Sequence, residues 1–336
     1  MGPRLRHSAA IRPLIPIRDG GAALRAVAMA VPDRRVTNTE IAQHVGVDED
    51  WISKRTGTAS RPWAQEGERL SDFAARAGAL ALRRAGLDAA ELDLVLVATS
   101  TADEITPNAA PLVAGQLGAD RAGALDLGSA CTGWLAGLAL AAGQIESGRA
   151  KHALVIGADF LSRFLDFSDR DTATLFADGA GAAVLSPASE AGGWIGPVVL
   201  HSDAAGSEWI KLERGGRISM QGQETFRAAV SCLTTVSQEA LSAAGAQLEE
   251  IDLFVYHQAN SRIIRAVGQR LGLDPSRVAD YVDRFANSST ATLPIALSVA
   301  RQEGRIGPGS RVLVASFGGG FTWGAAVIDC GSVAAD

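Results

Sequence analysis

The sequence predicts an α/β protein in which one domain fold occurs twice along the chain. Similar segments recur at a constant separation of 159 residues, so that residue 93 aligns with residue 252. In each copy an alanine-rich helix, a turn and an aliphatic strand follow one another. The aligned pairs are residues 81–97 with 240–256, 151–156 with 310–315, and 131–141 with 290–300. A repeat this long is typical of two fused copies of a domain and is far too long for a solenoid.

Short aliphatic runs are the predicted strands, and they alternate with helical runs. This alternation predicts mixed, largely parallel sheets covered by helices. In such an arrangement the ends of equivalent strands lie near one shared cleft. The predicted strands are residues 94–98, 124–127, 153–156 and 182–185 in the first copy, and 253–256, 312–316 and 325–328 in the second.

The chain is long enough for a large core, either as two domains or as one large α/β unit, because 47% of its 336 residues are hydrophobic. We assign residues 1–21 to an N-terminal extension, 22–190 to the first half and 191–336 to the second half. Residues 127–145 carry no formal charge, but they include four glycines and several polar residues. We therefore interpret them as a helix buried in the core and not as a membrane span.

Charge and cysteine usage restrict the class of protein. The net charge of −6 argues against nucleic acid or an anionic membrane as the main partner. The three cysteines, Cys131, Cys232 and Cys330, are widely spaced and form no Cys-X-X-Cys pair. This spacing predicts reduced thiols, a cytoplasmic protein and no structural metal site.

Cys131 is the candidate nucleophile, because it lies where a strand-like run meets the uncharged helical run. Unpaired N–H groups and the helix dipole at such a position lower a cysteine pKa, and they supply donors for an oxyanion. A cysteine in an alanine-rich segment is, taken alone, more often a small packing residue. The functional interpretation therefore depends on partners elsewhere in the chain.

The repeat supplies two such partners. His257 directly follows the predicted strand 253–256, at a strand-to-helix turn of the kind that carries functional residues in open α/β sheets. Asn287 aligns with Gly128, three residues before Cys131. A cysteine, a histidine and an asparagine are thus expected at one cleft between the two halves.

Six motifs together resemble the β-ketoacyl-acyl-carrier-protein synthase III family, which consists of thiolase-fold condensing enzymes, from about residue 22 to residue 330. They are residues 50–57 (DWISKRTG), 129–133 (SACTG), 175–182 (LFADGAGA), 257–260 (HQAN), 287–294 (NSSTATLP) and 316–324 (SFGGGFTWG). The resemblance implies a thiolase-like fold with two pseudo-symmetric α/β halves stacked as αβαβα layers.

The resemblance also implies a two-step reaction that forms a β-ketoacyl product. Cys131 would attack an acyl-CoA, with the backbone N–H groups of Cys131 and Gly319 as the oxyanion hole. A malonyl thioester on an acyl carrier protein would then lose CO₂. His257 and Asn287 would stabilise the resulting enolate, for which an amide suits better than a carboxylate because it donates without carrying negative charge.

Substrate contacts follow from the same resemblance. Trp51 and Arg170, with Arg55 nearby, match positions that contact the adenine of coenzyme A. Arg262 and Arg265 match a docking patch for the acidic carrier protein, although a solvated helix face explains Arg265 nearly as well. The resemblance implies a homodimer that uses coenzyme A only as part of its substrate, with no other cofactor, no metal and no membrane partner.

Two positions depart from the family pattern near the expected acyl pocket, which also includes Phe317. Thr106 stands where many bacterial relatives have a phenylalanine that closes the pocket from the neighbouring subunit. Trp134 stands where phenylalanine is usual. The smaller Thr106 predicts room for a longer or branched acyl group, whereas the direction of the change at Trp134 does not follow from the sequence.

Three other functions remain open on sequence grounds. An acyltransferase of the same fold would pass the acyl group from Cys131 to a hydroxyl or an amine without decarboxylation. A non-catalytic partner subunit would be expected to lack one of the three reactive residues. A hydrolytic cysteine enzyme is disfavoured, because it gains nothing from coenzyme A and carrier-protein contacts.

Overall fold

The computed structural model describes residues 20–331, which contain two five-stranded sheets and two small two-stranded ones. Of the predicted extension, only Gly20 and Gly21 lie within the described residues. The strands are β1 (Ala22–Ala30), β2 (Arg35–Thr37), β3 (Ser60–Pro62), β4 (Leu94–Ala98), β5 (Gly123–Leu127), β6 (Ala153–Phe160), β7 (Asp178–Pro187), β8 (Trp194–Ile195), β9 (Val199–Ser202), β10 (Ile210–Leu212), β11 (Ile218–Met220), β12 (Leu253–Tyr256), β13 (Ser310–Gly318) and β14 (Thr322–Cys330).

Helices occupy most of the chain between these strands. They are α1 (Asn38–Val45), α2 (Glu49–Thr56), α3 (Leu70–Ala85), α4 (Ala109–Leu117), α5 (Gly133–Glu146), α6 (Arg170–Ala173), α7 (Ala188–Ala191), α8 (Gly222–Ala244), α9 (Ser261–Leu271), α10 (Val282–Phe285) and α11 (Thr292–Gln302). Among the described residues, no helix is both long enough and apolar enough to cross a bilayer.

Each half contributes one five-stranded sheet. The first sheet has the order β1-β7-β6-β4-β5, and the second has the order β12-β13-β14-β8 with β9 also paired to β14. All seven predicted strands lie inside observed strands. The expectation of largely parallel sheets is wrong, because within residues 20–331 only β4 with β5, β4 with β6, and β12 with β13 are parallel strand pairs. Residues 319–321 alone connect β13 to β14, and so short a connection joins only antiparallel strands.

Packing arranges these elements in five layers, as the resemblance implied. The two central helices, α5 and α11, share one hydrophobic cluster with residues of both sheets, such as Val155 and Val312. A second cluster packs α3 and α4 on the outer face of the first sheet. A third packs α8 and α9 on the outer face of the second sheet. Residues Thr292–Ala300 of α11 are all buried, which explains why this stretch carries no charged residue.

Short turns precede both central helices and occupy equivalent places in the repeat. Ala130–Thr132 leads into α5, and Ser289–Ala291 leads into α11. Each turn lies against a strand of the other half. A Cβ atom at Gly318 of β13 would be 2.8 Å from the Cys131 nitrogen, and one at Gly157 of β6 would be 2.3 Å from the Thr290 oxygen. Glycine at these two positions therefore lets the halves interlock at the cleft.

Candidate active site

Cys131 lies in the turn between β5 and α5, as the sequence predicted. The preceding residue, Ala130, has a left-handed φ of 42°, which turns the chain sharply just before Cys131. The Ser316 hydroxyl donates to the Cys131 carbonyl at 2.8 Å, and the Ser289 hydroxyl donates to the Cys131 sulfur at 3.4 Å. The thiol is thus held by residues of the second half of the chain.

The electrostatic setting of this thiol differs from the sequence expectation. Burial raises the pKa of the Cys131 thiol to about 11, and this exceeds the opposing effect of three donors. Those donors are the Ser289 hydroxyl and the backbone N–H groups of Cys131 and Gly319. The expected lowering of the pKa by the helix start is therefore wrong for the resting site. The two N–H groups expected to form an oxyanion hole are thus among the donors that lower the pKa of the sulfur.

His257 directly follows β12, and both its backbone and its side chain are held by hydrogen bonds. Its backbone N–H donates to the Ala315 carbonyl at 2.8 Å, and its Nδ1 lies 2.5 Å from the Thr292 hydroxyl oxygen. The side chain is buried, and this burial lowers the pKa of His257 to about 3. The imidazole is therefore neutral at physiological pH and carries a single ring proton.

Backbone hydrogen bonds to the motif at residues 175–182 hold Asn287 in position. Its backbone N–H donates to the Leu175 carbonyl at 3.1 Å, and the Ala177 N–H donates to the Asn287 carbonyl at 2.9 Å. The side-chain Oδ1 accepts from the Ser289 N–H at 2.9 Å. This contact orients the carboxamide so that its NH₂ group is the end presented to a ligand.

The three reactive side chains meet in one cavity. Cys131, His257 and Asn287 all line what we call the inner cavity. A wider outer cavity lies between α2, α9 and the start of α8. The two cavities share four lining residues, namely Leu175, Met220, Phe226 and Asn260. Together they form one channel from the surface to the Cys131 sulfur.

The residues expected to contact coenzyme A lie at the outer end of this channel. Trp51 and Arg55 of α2 line the outer cavity. The guanidinium carbons of Arg55 and Arg170 lie 5.8 Å and 5.3 Å from the Trp51 ring centroid. An indole beside two guanidinium groups is suited to a planar aromatic group that carries phosphate. The Asn260 side chain donates to the Arg55 carbonyl at 3.1 Å, which joins α2 to the start of α9.

The two arginines expected to dock a carrier protein are both exposed on α9. Arg262 lines the outer cavity, and its guanidinium carbon lies 5.4 Å from the Phe226 ring centroid. Arg265 lies one turn further along and borders a separate cavity. Arg262 is thus placed at the channel entrance, and Arg265 beside it.

Of the three residues expected in the acyl pocket, only Phe317 lines the inner cavity. Trp134 is fully buried between the sheets, and its indole N–H donates to the Val155 carbonyl at 3.3 Å, so it belongs to the core. Thr106 lies on an exposed loop beside Ile105, which is 79% exposed, and it does not line this chain's cavity. Sequence position next to a nucleophile does not reveal the direction of a side chain.

Several residues of the site were not singled out from the sequence. Ser289 contacts Cys131, and Thr292 contacts His257. Met220 and Phe226 line the channel. The hydroxyl-rich run that follows Asn287 was the available signal for the first two. No sequence pattern pointed to Met220 or Phe226, since both lie in segments outside the repeat alignment.

Comparison with protein-family models gives two matches. Residues 125–204 match the model described as 3-oxoacyl-[acyl-carrier-protein] synthase III. Residues 241–330 match the model for the C-terminal part of 3-oxoacyl-[acyl-carrier-protein] synthase III. The first match includes Cys131, and the second includes both His257 and Asn287.

Individual proteins match over nearly the whole chain. A β-ketoacyl-[acyl-carrier-protein] synthase III of Rhodospirillum rubrum is 44% identical over 310 residues, which cover 89% of this chain and 96% of that protein. The crystal structure of 3-oxoacyl-[acyl-carrier-protein] synthase III from Aquifex aeolicus is 37% identical with a TM-score of 0.89, covering 92% and 100%. The priming β-ketosynthase of the R1128 polyketide biosynthetic pathway is 34% identical with a TM-score of 0.89, covering 96% and 99%.

Proposed function

The chain belongs to the 3-oxoacyl-[acyl-carrier-protein] synthase III family, and from that premise we propose that it condenses an acyl-CoA with a malonyl-acyl carrier protein. The observation that carries this proposal is the meeting of Cys131, His257 and Asn287 in one channel whose outer end has an aromatic and basic lining. No cofactor beyond the coenzyme A thioester is required for this chemistry.

The first step loads the acyl group onto Cys131. The sulfur attacks the thioester carbonyl, and the N–H groups of Cys131 and Gly319 stabilise the oxyanion. The bond to coenzyme A breaks, and the proton from the Cys131 thiol ends on the departing coenzyme A thiol. The raised thiol pKa means that the resting enzyme is a thiol, so thiolate forms only transiently during loading.

The second step uses the donors of the other half. The malonyl group loses CO₂, and the electron pair forms an enolate whose oxygen accepts from His257 and Asn287. The enolate carbon attacks the acyl-cysteine, the carbon–sulfur bond breaks, and Cys131 leaves as a thiolate. The thiolate then takes up a proton from water, which restores the resting thiol.

The role of His257 as a donor to the enolate requires the imidazole proton on Nε2. The Thr292 hydroxyl has one proton and lies 2.5 Å from Nδ1 and 3.1 Å from the Ser289 carbonyl, which can only accept. We assign that proton to the hydrogen bond with Nδ1, because only this arrangement leaves the imidazole proton on Nε2, where the role requires it.

The channel suits a substrate that is delivered on a long arm. Its reactive end is deep inside the protein, and its entrance is flanked by the exposed Arg262, with Arg265 nearby. These two cations favour an acidic carrier protein at the entrance. We include both in the docking surface for the malonyl carrier.

We also propose that two chains associate, with Thr106 of one chain reaching the acyl pocket of the other. Leu125 on the edge strand β5 is 56% exposed, and Ile105 beside Thr106 is 79% exposed. An exposed apolar edge strand is a common site of pairing between chains. Thr106 does not line its own chain's cavity, so contact between Thr106 and an acyl group would require a second chain.

Intact-mass measurement during a two-stage incubation tests the proposed reaction. Acyl-CoA alone should add one acyl group to the protein, and the Cys131→Ala variant should gain none. Malonyl-acyl carrier protein should then remove that group and yield a β-ketoacyl carrier product. Acyl-enzyme that ignores the malonyl carrier but discharges onto a hydroxyl or an amine would instead identify the transferase.

The Thr106 position gives a separate prediction about the acyl group. Acyl-enzyme should form with primers longer or more branched than acetyl, and Thr106→Phe should slow loading of the longer primers more than loading of acetyl. Initial rates of mass gain across a series of acyl-CoA lengths measure this. A strict acetyl preference in the native chain would contradict the prediction.

A further inference from the structure

Ser289 contacts the proposed nucleophile, Cys131, and one of the two proposed enolate donors, Asn287. Its hydroxyl donates to the Cys131 sulfur at 3.4 Å, an ordinary distance for a hydrogen bond to the large sulfur atom. Its backbone N–H donates to Asn287 Oδ1 at 2.9 Å. One residue therefore bonds to the nucleophile through its side chain and to the enolate-binding amide through its main chain.

The backbone at Ser289 is held in an uncommon conformation. Its φ is 50°, in the left-handed region that residues with a Cβ atom rarely adopt. The buried Asp159 of β6 holds the turn in place, because its Oδ2 accepts from both the N–H and the hydroxyl of Thr290, at 3.2 Å and 3.0 Å. Backbone strain that the surroundings maintain is concentrated at functional sites.

We propose that Ser289 is a catalytic hydroxyl donor that stabilises the Cys131 thiolate, and that its N–H fixes the orientation of Asn287. The hydroxyl would act twice: when the thiolate forms during acyl loading and when it leaves during condensation. Only the second of these depends on the proposed function, since loading alone already requires the thiolate.

The surroundings of the sulfur explain why such a donor is needed. The titratable groups that face it are Asp159 from β6 and His257 after β12. The Asp159 carboxylate disfavours a thiolate, and the neutral His257 gives no positive charge to offset it. Helix α8 and residues 175–176 face the cavity largely with apolar side chains. Apart from backbone N–H groups, the Ser289 hydroxyl is the donor that the described residues direct at the sulfur. The same hydroxyl also contacts the Asp159 carboxylate.

The pH profile of Cys131 alkylation by iodoacetamide tests this role. A hydrogen bond to a charged group is strong enough to shift a pKa by about one unit. In both Ser289→Ala and Ser289→Gly the profile should move about one unit toward higher pH, so that alkylation at a given pH below the midpoint is about tenfold slower. Glycine also relieves the left-handed strain, so equal shifts in both variants identify the hydroxyl as the cause. Thiolate absorbance, with Cys131→Ala as the blank, gives the midpoint independently of reagent access.

Ser288→Ala is the matched control. The neighbouring Ser288 hydroxyl is also buried, and within residues 20–331 it has no hydrogen-bond partner. Its removal should leave the profile in place. An unmoved midpoint in the two Ser289 variants, or an equal shift in Ser288→Ala, would overturn the proposal.

The same protein preparations separate this proposal from the proposed function. Alkylation and acyl loading do not involve malonyl-acyl carrier protein, whereas CO₂ release does. If the Ser289 variants shift the alkylation profile but the native enzyme never releases CO₂, the proposed condensation is wrong and the proposed role of Ser289 stands. If condensation is normal but the alkylation profile does not move in the Ser289 variants, the proposed role of Ser289 is wrong and the condensation stands.

Discussion

The turns before α5 and α11 are the same backbone structure with different chemistry. Each begins with a left-handed residue, Ala130 in the first half and Ser289 in the second. The next residue is Cys131 in one turn and Thr290 in the other. Cys131 lines the channel, whereas Thr290 is buried and its hydroxyl contacts the Ala98 carbonyl and Asp159, at 3.0 Å each.

This difference shows how a duplicated fold produces one reactive site instead of two. The first half presents its turn residue to the channel, and the second half uses the equivalent residue to anchor the turn to β6. The second half in return supplies His257, Asn287 and the Ser289 hydroxyl. Each half is therefore incomplete alone, and the cleft between them contains one nucleophile with donors from the opposite half.

The largest expected effect comes from moving the thiol between the two turns. Cys131→Ala should abolish acyl loading, because it removes the atom that carries the acyl group. Adding Thr290→Cys to that variant should not restore loading, because the side chain at 290 points into the anchor at Asp159 and away from the channel. Intact mass after incubation with acyl-CoA measures both.

Cys131→Ser is the control for this comparison, since it keeps a small polar group at the loading position. An acylated protein from the Cys131→Ala, Thr290→Cys double variant would show that the two turns are chemically interchangeable. That result would contradict the division of roles between the halves.

Much of this asymmetry was visible in the sequence, because the repeat placed Asn287 near Cys131 and led to His257. The aliphatic runs located seven strands, but they carry no information about strand direction, so the antiparallel pairs were missed. The left-handed residues Ala130 and Ser289 are not glycines, and nothing in their identity signals a turn. The raised thiol pKa depends on burial, and residues from both halves of the folded chain produce that burial.

A smaller effect, confined to one step, is expected at Asn287. Asn287→Asp keeps an oxygen to accept from the Ser289 N–H, but it replaces the NH₂ donor with an oxygen. Loss of one donor at a developing enolate lowers rates by about 10²- to 10³-fold. Condensation should fall by that order, while acyl loading on Cys131 should stay near the native rate. Mass gain from acyl-CoA and CO₂ release from malonyl-acyl carrier protein measure the two steps separately, and equal losses in both would contradict this role.

The smallest effect tests the interlocking of the halves through stability. Gly157→Ala would place a Cβ atom 2.3 Å from the Thr290 oxygen and 2.7 Å from its carbonyl carbon. Both are backbone atoms, so the turn must move away from β6, and such overpacking lowers the free energy of unfolding by about 1–3 kcal/mol. Gly143→Ala is the matched control: a Cβ there meets nothing within 4 Å, and alanine favours the α5 helix. Denaturant unfolding should show Gly157→Ala less stable than the native chain and Gly143→Ala at least as stable. If both variants unfold like the native chain, the close approach of the second-half turn to β6 does not hold the cleft together.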